Sequence, residues 1–170
     1  IGGTLLGSVR NEKIIPWDDD IDLGIYTDNP NKTRKQLKKL IKPKTKYKFE
    51  KTYFGGRIIH TKSGVFIDIF LYIKEGSRIL SISKRARTMW PQNNFSEEQM
   101  KLETAKLYDK DYKAPSDYND FLTRHFGEDY EMTKITHSHK ILIDGINSDT
   151  IMDVISIFLI NITNNNSIKY

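Results

Sequence analysis

The chain contains no cysteine, so disulfides, thiolate zinc sites and cysteine nucleophiles are excluded from the start. It has no long apolar run either. Residues 151–160 form the most apolar late stretch, about half of the roughly 20 residues that a spanning helix needs, and Asp153 interrupts it. A buried helix or strand is the expectation there, with no membrane span. Only five prolines occur in the 170 residues, and none marks a linker between domains. The opening Ile1-Gly2-Gly3 is neither a charged leader nor an apolar one. It does not begin with Met, and the sequence reads as a piece of a longer protein.

What is present is ordinary for a globular domain: 38% hydrophobic and 29% charged residues, enough in 170 residues for one real core. The net charge of +5 suits an anionic partner such as a nucleotide. Lys and Arg are spread from Arg10 to Lys140 rather than clustered, which argues against a nucleic-acid module.

Element signals follow the chain. Gly2, Gly3 and Gly7 predict a turn-rich loop or a helix end. Residues 22–26 read as a strand leaving an acidic loop. Asn31 or Thr33 caps a helix to about Ile41, with Leu37, Leu40 and Ile41 on one side, and Pro43 ends it. Gly55-Gly56 between two β-prone runs predicts a tight hairpin, and Ser63-Gly64 a second turn. Residues 65–73 form an apolar run with one charge, the pattern of a strand buried on both faces. Ser96 followed by Glu97, Glu98 and Gln99 predicts a capped helix. Pro115-Ser116 caps another, closed by Gly127. The order predicts an α+β fold, with a mixed sheet first and helices after it. The domain is expected over residues 1–145, followed by a tail over 146–170 that is partly apolar and Asn-rich.

The chemistry concentrates in Gly7-Ser8, eleven residues, then Asp20-Ile21-Asp22. Two carboxylates two positions apart on a strand share a face and repel. A hard divalent cation removes that repulsion, and Mg²⁺ or Mn²⁺ keeps positions open for phosphate oxygens. Asp68 is the lone charge in the apolar run, expensive there unless it is paired or metal-bound. If its strand lies beside residues 22–26, Asp20, Asp22 and Asp68 form one site, with Asp68 a candidate to take the proton of an acceptor hydroxyl. Gly7-Ser8 would offer backbone N–H groups to phosphate, and Arg10 a forked donor. Asp18, Asp20 and Asp22 have the first three spacings of an EF-hand loop. The sixth and twelfth positions, Leu23 and Asn29, fail that pattern.

Residues 3–10 (Gly-Thr-Leu-Leu-Gly-Ser-Val-Arg) and 15–26 (Ile-Pro-Trp-Asp-Asp-Asp-Ile-Asp-Leu-Gly-Ile-Tyr) resemble the signature of the LicD family, closest in look to its fukutin-related branch. Phe-Ile-Asp-Ile-Phe at 66–70 resembles the family's second acidic strand, and residues 114–127 its closing helix. The resemblance runs from residue 2 to about 130. It implies a nucleotidyltransferase-type fold, with a mixed sheet and flanking helices, acting as a phosphotransferase. Such proteins move a phosphate-linked group, phosphocholine or polyol phosphate, from a CDP-activated donor to a glycan hydroxyl. It implies a metal held by Asp18, Asp20, Asp22 and Asp68, with Arg10 beside the glycines. The family helix before Gly-Gly is expected to be truncated, and the zinc cysteines of the fukutin-related branch are absent. The compartment implied is the Golgi or secretory lumen in a eukaryote, or the cytoplasm in a bacterium or virus.

Two other readings stay open. A true nucleotidyltransferase would place the nucleotide itself on the acceptor. A non-catalytic binding module of the same fold would predict a broken carboxylate set, whereas this set is complete. Among other residues, Trp17 can stack on a base but more simply pins its loop. Arg57 and His60 can reach a phosphate. His125 reads as a helix-surface or core residue, and His137 with His139 as a metal pair lacking a third ligand. Lys35, Lys38, Lys39 and Lys42 read as a solvated face. Asn31, Asn94, Asn161 and Asn165 match the N-glycosylation pattern.

Overall fold

The structure is a computed structural model that describes residues 1–42 and 46–132. Pro43, the His137/His139 pair, the apolar stretch at 151–160 and the whole expected tail lie outside the described residues.

The described residues form an α+β fold built on one six-stranded sheet. Its centre is β4 (Phe66–Glu75), the apolar run, and residues 67–72 along it are all buried. On one side β1 (Asp20–Tyr26) pairs with it in parallel, from Asp20 opposite Phe66 to Tyr26 opposite Tyr72. Antiparallel partners are β3 (Gly55–His60) at its start and β5 (Arg78–Ser81) at its end. The sheet is completed by β2 (Tyr47–Lys51) beside β3 and β6 (Phe95–Ser96) beside β5.

Period two along β1 and β4 divides the core into two layers. Ile21, Ile25, Ile67, Ile69 and Leu71 pack with Leu37 and Ile41 of helix α2 (Pro30–Ile41). On the other face Phe70 and Tyr72 pack with Leu5 and Leu6 of helix α1 (Gly2–Asn11) and with Phe121 and Leu122 of a later helix. Asp20, Asp22 and Asp68 alternate with the first set, so all three belong to the second face.

Several elements differ from their sequence signals. The glycine-rich opening is a ten-residue helix, because Leu5, Leu6 and Val9 supply an apolar stripe that packing rewards. The cap of α2 is Asn29, which accepts from the Lys32 N–H at 3.0 Å, with Pro30 at the first helical position. Gly55 and Gly56 lie in β3 and do not form the turn. A Cβ at Gly55 would sit 2.0 Å from the Ile69 carbonyl oxygen, and one at Gly56 2.5 Å from the Phe49 ring. They serve close approach, which in sequence looks the same as a turn pair.

The Ser96 capping box forms: the Gln99 N–H donates to Ser96 Oγ at 3.2 Å and the Ser96 N–H to Gln99 Oε1 at 2.8 Å. No helix grows from it. A short helix α3 (Lys84–Met89) and a 3₁₀ turn (Pro91–Asn93) precede it, and a hairpin follows, β7 (Leu102–Leu107) with β8 (Lys110–Pro115). Its turn is Tyr108-Asp109 at φ 50° and 61°, a primed-turn geometry without the usual glycine, which hid it. The last helix, α4 (Tyr118–Phe126), is capped by Asp117, Pro115 being the end of β8.

Candidate functional site

The site opens at the carboxylate face of β1 and β4. Asp22 and Asp68 are direct partners across the parallel pair, and Asp20 sits two residues earlier on the same strand. One carboxylate oxygen from each of Asp20, Asp22 and Asp68 lies within 4.8 Å of the others. Asp18 and Asp19 make a second such group with Asp20, so Asp20 joins the loop to the strand pair.

Burial is the largest cause holding Asp20 above the usual carboxylate range, to about 8, with Asp22, Asp18 and Asp68 adding repulsion. Burial likewise lifts Asp22 to about 6; Asp68 and Asp18 add to the rise, while Arg57 opposes it. Such a set strains toward a counter-charge.

Part of that counter-charge is built in. Arg57 on β3 faces Asp68 and grips both its oxygens, Nε to Oδ1 at 2.6 Å and Nη2 to Oδ2 at 2.7 Å. Its guanidinium also lies over the Phe66 ring, 3.8 Å from the centroid. The hydrogen bond to Asp68 is the first cause keeping Arg57 firmly protonated. Arg57 therefore aims Asp68; it does not line the cleft.

Gly2 and Gly3 let the carboxylates approach α1. A Cβ at Gly2 would lie 2.2 Å from Asp22 Oδ2, and one at Gly3 2.5 Å from Asp18 Oδ2. Gly2 also has φ 57°, a region that favours glycine. The Asp22 N–H donates to Thr4 Oγ1 at 2.8 Å, locking the strand to the same helix.

Gly7 and Ser8 are not part of this cleft. Both are buried inside α1, so their backbone does not form an open phosphate-facing turn. A Cβ at Gly7 would meet the Lys13 carbonyl at 2.3 Å, so that glycine admits the returning loop. Ser8 Oγ donates to the Lys106 carbonyl at 2.5 Å, pinning α1 to β7. Arg10 does line the cleft, but its fork is engaged by backbone: Nε donates to Tyr130 O at 2.6 Å, and Nη2 to Tyr130 O and Met132 O. Trp17 is half-buried on the cleft wall.

The cleft has a volume of about 480 Å³. Part of its lining had no sequence signal: Trp90, Asn93, His125, Phe126 and Tyr130. These come from the 3₁₀ turn and the residue before it, and from α4 and its exit, brought over the carboxylates only by tertiary packing. Trp is rare enough to have been a clue, since both tryptophans of the chain line this one cleft.

A family model described as "LicD/FKTN/FKRP, nucleotidyltransferase domain" matches residues 1–117, which include all four acidic positions. The chain belongs to the LicD/FKTN/FKRP family. Members of this family transfer phosphate-linked groups. Relatives include the uncharacterized protein RP689 of Rickettsia prowazekii, 28% identical over 127 residues (74% of this chain, 46% of that protein). The uncharacterized protein RT0683 of Rickettsia typhi is 30% identical over 157 residues, 87% of this chain and 46% of that protein. The chain thus spans about half the length of these curated relatives. A 28-residue segment is 61% identical to ribitol 5-phosphate transferase FKRP of Homo sapiens and of Mus musculus, 16% of this chain and 6% of theirs. The family match stops just before α4, so His125 and Phe126 join the cleft from outside it.

Proposed function

We propose that this domain transfers a phosphate-linked group, of the phosphocholine or polyol-phosphate type, from a CDP-activated donor to a glycan hydroxyl with Mg²⁺ or Mn²⁺. The observation that carries the reading is the cluster Asp20, Asp22 and Asp68, with oxygens within 4.8 Å. The donor set fits a hard divalent ion: all ligands are carboxylates, and burial and mutual repulsion disfavour the charged forms of Asp20 and Asp22, which a cation between them would favour. When bound, such an ion neutralises charge on a diphosphate and on its leaving group.

The chain's own residues then divide the work. Asp20 and Asp22 hold the ion from β1, with Asp18 at the rim of the loop. Asp68 closes the set from β4. Both its oxygens accept from Arg57, which suits a fixed ligand better than the proton acceptor that the sequence suggested. Gly2 and Gly3 keep α1 close without touching the carboxylates. Arg10 acts as a brace for residues 130–132 and puts positive charge at the rim where an anionic donor enters.

The test is turnover of CDP-linked choline or ribitol with a glycan acceptor, with and without Mn²⁺, in the chain and in Asp22→Asn. Metal-dependent release of CMP supports the reading. Release of phosphocholine or ribitol phosphate, with CMP left on the acceptor, would move it to a nucleotidyltransferase, the word in the family's printed description. No metal-dependent product of either kind would overturn it.

A further inference from the structure

The proposed chemistry leaves one wall of the cleft unused. Asn93, at the end of the 3₁₀ turn, lines the cleft and is only 7% exposed, yet its Oδ1 is buried without a hydrogen-bond partner among the described residues. His125 of α4 lines the same cleft, and its Nδ1 is buried and unpartnered too. Its Nε2 lies 3.5 Å from Gln92 Nε2. Burial first, helped by the positive charge of Arg124, holds His125 well below the ordinary imidazole value, to about 4, so it is neutral at neutral pH. Because Gln92 Nε2 can only donate, His125 Nε2 accepts and the neutral ring carries its proton on Nδ1. A buried acceptor (Asn93 Oδ1) and a buried donor (His125 Nδ1–H), both unpaired among the described residues, are costly and rare, and together on one cleft they point to a ligand that brings a donor and an acceptor.

The shape of that ligand follows from Trp90. It lines the cleft and is fixed against Tyr53, Phe54 and Phe70, with ring centroids 6.1, 6.0 and 5.7 Å away. Phe70 is two residues past Asp68 on the same face of β4, roughly 7 Å along the strand. Trp90 thus stands one ring beyond the carboxylates, where the far end of a ligand anchored on them by phosphate would reach. Phe126 and Tyr130 add further aromatic surface. Flat aromatic walls favour a flat π ligand over a puckered one.

We propose that Trp90, Asn93 and His125 form a base-reading subsite that stacks a nucleobase, with Asn93 Oδ1 accepting from its exocyclic amine and His125 Nδ1–H donating to its unprotonated ring nitrogen, favouring cytosine or adenine over uracil. Cytosine and adenine carry an amine at the edge where uracil carries a carbonyl oxygen, which Asn93 Oδ1 would repel. The inference rests on the reading that the acidic wall takes the diphosphate of a nucleotide-linked donor. It adds the residues that choose the base.

Calorimetry with Mn²⁺ and four probes, CDP, ADP, UDP and inorganic pyrophosphate, tests it. The chain should bind CDP or ADP at least about tenfold tighter than UDP, and the two amine bases separate by which fits the cleft. Asn93→Leu should bring the amine base down to the UDP level, leave pyrophosphate binding unchanged, and leave the melting temperature equal or higher, since a buried unpaired oxygen is removed. His125→Phe, at the half-exposed end of α4, should reduce the same preference by a smaller factor and serves if the Asn93 variant fails to fold. Pyrophosphate binding with equal CDP and UDP affinity would overturn the subsite alone. So would an Asn93→Leu variant that keeps its preference, or one that changes only the KM of a sugar acceptor. Failure to bind pyrophosphate with Mn²⁺ would remove the donor reading and the subsite with it.

Discussion

The two faces of the β1–β4 pair are made by the same fourteen paired positions and have opposite characters. One presents Ile21, Ile25, Ile67, Ile69 and Leu71 to α2 and is closed. The other presents Asp20, Asp22 and Asp68, then Phe70 and Tyr72, and opens into a cleft. The closed face supplies the burial that holds the strands in register. That register places Asp22 opposite Asp68, against the repulsion both carboxylates feel. Stability comes from one side of the backbone and is spent on the other, a division that a period of two makes possible within ten residues.

The largest effect expected is on the open face. Asp20→Asn or Asp22→Asn should lower turnover by about 10²-fold or more, while the metal-free melting temperature stays level or rises because a repelling charge is gone. Steady-state kinetics beside thermal melts would show it; a turnover loss that tracked a lost fold would blur the contrast between the faces. On the closed face, Ile69→Ala at a fully buried position should cost about 3 kcal/mol of stability. Denaturant unfolding reads this, and metal affinity should hold as long as the protein is folded.

A pH series sharpens the same contrast. Asp20 at about 8 and Asp22 at about 6 both exceed the roughly 3.9 of an unfolded aspartate. The folded state therefore binds more protons than the unfolded chain between about pH 4 and 8. Metal-free stability should fall as pH rises through that window, and Mg²⁺ should restore more of it at pH 8 than at pH 5. Melts in chelator at pH 5, 6.5 and 8 check this, and a flat profile would deny the charge strain. The smallest effect belongs to Ser8→Ala, away from the cleft: loss of the hydrogen bond to Lys106 should cost about 1 kcal/mol and leave nucleotide affinity unchanged. Weakened nucleotide binding in that variant would return Ser8 to the site.

Sequence spacing made the acidic half of the site legible. Period two fixed Asp20 and Asp22 on one face, and the lone charge in the 65–73 run marked Asp68; both follow from strand geometry alone. Glycines were the weak point. Gly7 and Gly55 admit a neighbouring backbone, a purpose a sequence cannot distinguish from a turn, and so the opening helix and the place of the β2–β3 turn were misread. The β7–β8 hairpin carried no Gly at its Tyr108-Asp109 turn. A correct capping box at Ser96 closed a turn and no helix, since a cap without an apolar face behind it has nothing to pack. The Trp90, Asn93 and His125 wall had no local signature at all, because Asn93 and His125 come to line one cleft only once α4 is laid beside the 3₁₀ turn.

Asp20, Asp22 and Asp68 are proposed to share one divalent ion. Mn²⁺ titration followed by electron paramagnetic resonance, at pH 7.5 without nucleotide, tests it most directly in the chain and in Asp22→Asn and Asp68→Asn. One saturable site is expected in the chain and an affinity at least about tenfold weaker in each variant, with pyrophosphate tightening the site only where the carboxylates are intact. Equal Mn²⁺ affinity in all three proteins, or no saturable site in the unaltered chain, would contradict it.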